Sequence, residues 1–75
     1  MAPDLMPRFT DLNDLVNYLT KELAMQPDGK LQIFCETGTI KTFLISFITT
    51  QQDIQNAAPD ILDVQTKDIG TLYIL

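Results

Sequence analysis

The stretch Ile40-Lys41-Thr42-Phe43-Leu44-Ile45-Ser46-Phe47-Ile48 decides the fold, because read as a strand it is apolar on both faces. Phe43, Ile45 and Phe47 project one way, and Ile40, Leu44 and Ile48 project the other, with Thr42 and Ser46 among them. A strand with one solvated face alternates apolar and polar residues, whereas a strand covered on both sides does not. The segment also fits a helical stripe through Ile40, Phe43, Leu44, Phe47 and Ile48, with Pro59 able to end a helix begun near Thr39. Composition decides for strand: Thr, Ile, Phe and Ser fill it, and no Ala, Glu or Gln enters before Gln51. In a chain of 75 residues one helix covers one face, so the second cover is expected from another subunit.

On the N-terminal side, residues 30–36 read as a strand with Leu31, Ile33 and Cys35 on one face and Gln32, Phe34 and Glu36 on the other. Thr37 and Gly38 close a hairpin, with Gly38 supplying a positive φ. Further upstream Leu12, Leu15, Val16, Leu19 and Leu23 recur at helical spacing, which predicts a helix over residues 11–24. Thr10 is its expected N-cap, Asp11 and Asp14 lie in the first turn where the dipole favours anions, and Pro27-Asp28-Gly29 ends it. Residues 1–9, with Pro3 and Pro7, form an extended arm expected to pack on something.

On the C-terminal side, Thr49 and Gln52 suggest a capping box opening a short helix over residues 50–57, ahead of Pro59. Residues 61–66 read as a strand with Leu62 and Val64 inward, 67–70 as a turn and 71–75 as a last strand. That last strand sets Leu72 and Ile74 on one side and Tyr73 and Leu75 on the other. The chain is thus read as a single α+β domain over residues 1–75: an N-terminal amphipathic helix, then an antiparallel sheet of about four strands, with a short helix between two hairpins.

Composition bounds the function. Small domains lean on disulfides, metals or association, and one cysteine with no histidine leaves no internal disulfide and no soft-metal ligand set. Association remains. Ten acidic against five basic residues give a net charge of −5, which disfavours binding to phosphate backbones. With 45% apolar and 20% charged residues the chain is too hydrophobic for intrinsic disorder. No apolar run approaches the length of a membrane span and no leader-like pattern opens the sequence, so a cytoplasmic location is expected.

Candidate chemistry is sparse. Cys35 lacks a histidine to activate it and shares an inward face with Leu31 and Ile33, which points to a buried, inert thiol. Asp53, Asp60, Asp63 and Asp68 make the C-terminal part acidic without the spacing of a calcium loop. Gly29, Gly38 and Gly70 stand far apart and build no phosphate cradle. Phe34, Phe43, Phe47 and Tyr73 can form a base-stacking platform, but only Lys30 and Lys41 lie near them, and packing accounts better for these rings.

Leu31-Gln32-Ile33-Phe34, Gly38, Leu44-Ile45-Ser46-Phe47 and the closing Ile69-Gly70-Thr71-Leu72-Tyr73-Ile74 together resemble the Sm-like ring proteins, as a short helix, a hairpin and a final strand. The resemblance implies ring assembly. It departs from the Sm pattern at the expected mid-strand glycine, where Thr42 or Phe43 stands, and in the loop over residues 48–53, which lacks the expected Asn. No RNA-binding residue is carried over.

The sequence therefore points to a non-enzymatic interaction or assembly protein, a homo-oligomer or accessory subunit needing no cofactor or metal. Its expected interface is Ile40, Phe43, Leu44, Phe47, Ile48, Leu72, Tyr73 and Leu75. The alternative is an Sm-like or other sheet-based RNA-binding module.

Overall fold

The computed structural model describes residues 4–38 and 42–75. Its elements run β1 (Asp4–Leu5), α1 (Leu12–Met25), β2 (Leu31–Glu36), β3 (Thr42–Ile48), α2 (Gln51–Thr66) and β4 (Thr71–Ile74), an α+β arrangement. The four strands form one antiparallel sheet in the order β1-β4-β2-β3.

α1 follows its apolar spacing closely. Asp11, not Thr10, is its N-cap, and its carboxylate accepts a bond from the Asp14 backbone N–H at 3.2 Å. Leu15 and Leu19 are fully buried, with Val16 and Leu23 packed beside them, but Leu12 is exposed. Beyond Met25 the chain turns at Gly29, whose φ of 71° costs glycine little. Gly38 has no positive φ, contrary to expectation, so Gly29 is the positive-φ glycine among the described residues.

α2 corrects the sequence reading. It is 16 residues long and runs through Pro59, so the short helix and the expected strand over residues 61–66 are one helix. Leu62 and Val64 are half-buried on it rather than inward on a strand. An interior proline costs about 3 kcal/mol through a lost backbone bond and a steric clash. Ile54, Ala58 and Ile61 offset this, since each is at most 1% exposed and all lie on one stripe with buried Gln65. Burying an Ile side chain contributes about 1.5–3 kcal/mol. Pro59 itself sits on the exposed side. The helix opens with a capping box one residue later than expected, Thr50 with Asp53. It closes on Asp68 at φ 54°, with Asp68 N–H bonded to Gln65 O and Ile69 N–H to Val64 O, a Schellman pattern. The fourth strand is instead β1, from the arm.

Residues 4–9 of the arm are tied down by contacts within this chain. Asp4 and Leu5 pair with Ile74 and Tyr73, and the N–H of buried Met6 bonds Leu72 O at 2.9 Å. Gln65, 5% exposed, receives the Phe9 N–H on Oε1 and donates from Nε2 to Pro7 O. Arg8 reaches Gln65 O at 2.6 Å and Asp68 Oδ1 at 3.1 Å.

One core lies between the helices and a single face of the sheet. Leu31, Ile33 and Cys35 of β2, Ile48 of β3, and Leu72 and Ile74 of β4 meet Leu15, Leu19, Ile54, Ala58 and Ile61 there. Gly70 brings the turn before β4 against this layer: a Cβ at that position would stand 2.7 Å from Cys35 Sγ and 2.9 Å from Glu36 O. Backbone cannot yield as a flexible side chain does, so Gly70→Ala is expected to destabilise the fold by about 1–3 kcal/mol. Gly38→Ala, which meets nothing within 4 Å, should stay within about 0.5 kcal/mol. Urea midpoints of the two variants check this.

Candidate functional site

Strand register decides which side chains face away from the helices. Leu5 pairs with Tyr73, Tyr73 with Phe34, and Phe34 with Leu44, so a row of four large side chains crosses all four strands on the open face. A second row follows beside it: Gln32 pairs with Phe47, and the Leu75 N–H bonds Gln32 O at 3.0 Å. A third row is polar, with Thr71, Glu36 and Thr42 in register. Leu5 is 66% exposed, Leu44 and Phe47 48% and Leu75 44%, while Phe34 and Tyr73 are half-buried.

This face divides the expected interface. Leu44, Phe47, Tyr73 and Leu75 come together on it. Ile48 and Leu72 do not: they are 0% and 3% exposed in the chain's own core. Phe43 shares the row of Cys35 and Leu72 on the helix side, yet is 45% exposed where the helices leave the sheet edge uncovered. Ile40 and Lys41 lie outside the described residues.

The correction has a local cause. Between Ile33 and Phe34 the register with β3 shifts, and Ile45 is left without a partner, a bulge. Strict alternation therefore breaks. Neither Phe43/Ile45/Phe47 nor Ile40/Leu44/Ile48 acts as a set: Phe47 and Leu44 face outward, and half-buried Ile45 packs on the core. The expected interface omitted Leu5 and Phe34, although Phe34 stands with Phe43, Phe47 and Tyr73 among the rings able to form a platform. Phe34 was visible as the residue alternating with Leu31, Ile33 and Cys35; Leu5, in a two-residue strand between prolines, carried no pattern.

Elsewhere the chemistry is quiet. Cys35 is buried, and desolvation raises its thiol above the usual range, which suppresses thiolate. Tyr18 packs against Phe9 in a tilted contact, 5.1 Å between ring centroids, and burial, with Glu22 and Asp4 nearby, pushes its hydroxyl up to about 12. Asp53 is held below the usual carboxylate range by bonds from the Thr49 N–H and hydroxyl, at 2.9 and 3.0 Å, and from Thr50. Among the described residues no three His, Cys, Asp or Glu side chains gather to hold a metal ion, and no helix is long and apolar enough to cross a membrane. A groove of about 210 Å³ beside the arm includes Arg8, but its guanidinium is engaged by Asp68 and Gln65.

Comparison with protein-family models, curated proteins and solved structures finds no match. The hairpin and last strand of the Sm-like resemblance are present, but α2, 16 residues of helix, stands between them.

The shifted groups set the pH response. The fold keeps protons on Cys35 and Tyr18 that the unfolded chain releases above 9.0 and 10.0. The unfolded state then binds fewer protons, so stability falls as pH rises through this range. Asp53 acts oppositely: its contribution is present above 3.8 and is lost as pH falls below its lowered folded value. Thermal melts across pH should show both flanks, and Cys35→Ala should remove the first part of the alkaline fall.

Proposed function

We propose that this chain is a non-enzymatic interaction module whose working surface is the open face of the sheet, serving a homo-oligomer or acting as an accessory subunit. The observation that carries the reading is the apolar row Leu5–Tyr73–Phe34–Leu44, flanked by Phe47 and Leu75 and left uncovered by both helices. Antiparallel sheets commonly leave one face to water, but that face then reads polar. Here, among the described residues, the polar side chains of the three rows are Gln32 in the second row and Thr71, Glu36 and Thr42 in the third. Large contiguous apolar patches on soluble proteins mark sites of association.

The alternative, a sheet that stacks single-stranded RNA, draws on one specific arrangement: Phe34 and Tyr73 are adjacent on the two central strands. Such platforms combine stacking rings with a cationic groove. The three rows of this face contain no Lys or Arg, and the chain carries −5. Interaction with protein is therefore the better reading.

A surface kept for a partner is dispensable to the lone fold. Leu44→Lys with Phe47→Lys should keep the helical and sheet circular-dichroism signal and shift stability by less than about 1 kcal/mol, whereas Leu19→Ala in the core should cost about 2–5 kcal/mol. Unfolding of the double-lysine variant would make the face structural and end the reading. Filter binding to short single-stranded RNA at low salt should show no affinity tighter than about 100 μM.

A further inference from the structure

We propose that the occupant of the open face is the same face of a second copy of this chain, so that two sheets stack with helices on both outer sides. The inference rests on the reading of this face as a binding surface and adds the partner. Three observations select a second copy.

The first is size. The chain extends 31 × 28 × 17 Å overall, and its open side presents all four strands. A stable interface needs about 800 Å² from each partner, which takes the whole open face with its projecting side chains, since four strands spaced about 4.8 Å apart and up to seven residues long span roughly 19 × 23 Å. The edge strand β3, only seven residues long and bulged at Ile45, offers far less.

The second is charge. Two copies at −5 each repel, but the acids of the helical layer, Asp11, Asp14, Glu22, Asp53, Asp60 and Asp63, lie away from the open face. Stacked sheets are spaced about 10 Å apart, and each helix layer stands about another 10 Å outside its own sheet. The two acidic layers are then roughly 30 Å apart, several Debye lengths at physiological salt. A basic protein partner would find little to pair with: Glu36 is the one Asp, Glu, Lys or Arg in the three rows, and Asp28 stands at their rim with Lys30 in the same hollow beside Gln32 and Leu75.

The third is symmetry. A two-fold axis lying between the sheets sets the apolar row of one protomer against the same row of the other. It also sets polar row against polar row, so the contact is self-complementary. Phe34 and Tyr73 sit at the middle of the row and are the natural anchors, with Leu5 and Leu44 at its ends.

Sedimentation equilibrium of the full chain across about 1–100 μM tests for the dimer, and Tyr73 fluorescence reports its geometry. Wild type should approach twice the 8.5 kDa chain mass. Leu44→Lys should weaken association at least about tenfold, while Leu12→Lys on the exposed side of α1 should leave it unchanged. With Tyr18→Phe leaving Tyr73 as the one tyrosine, acrylamide quenching should fall as the dimer forms. A monomer throughout the range overturns the proposal. So does a dimer in which Tyr73 stays open to quencher, which would mean pairing through the β3 edge or the helices. Neither result unfolds the double-lysine variant, so failure of the occupant and failure of the surface are read separately.

Discussion

Strand β2 is the constraint on which the rest depends. It is hydrogen-bonded on both edges, to β3 and to β4, and its inward residues Leu31, Ile33 and Cys35 are at most 2% exposed. A strand so placed has one remaining freedom, its outward row of Gln32, Phe34 and Glu36. Both helices are drawn to the inward side because the core is there. The open apolar face is thus a consequence of sheet register, and Phe34 is its centre because Phe34 alternates with the core.

Much of this was legible in residues. The Leu15–Leu19 spacing located α1, and the alternation of Leu31, Ile33 and Cys35 located the inward face of β2. The doubly apolar character of residues 40–48 indicated a strand, and its described part, Thr42–Ile48, is one, with Phe43, Leu44 and Phe47 left exposed by the helices. The details of that strand were not legible. A bulge reassigns faces without any sequence mark when every neighbour is apolar, so Ile48 went inside and Leu44 outside.

The C-terminal half shows the opposite failure. Pro59 is a strong local signal, and Ile61-Leu62-Asp63-Val64 resembles a strand. The spacing of Ile54, Ala58, Ile61 and Gln65 is helical, and burial of that stripe outweighed the local cost of proline. Gln65 concealed the pattern by being polar; its burial makes sense only with the arm beside it, where its amide serves the Phe9 N–H and the Pro7 carbonyl.

That amide has a reach beyond its own layer. Gln65 belongs to the helical side, yet it fixes the strap that carries Leu5 to the rim of the opposite side. Among the described residues the strap's strand is Asp4–Leu5, too brief to hold register unaided. The outline of the exposed greasy surface is therefore governed from behind the sheet, and a change at one glutamine would redraw a contour that its side chain never touches.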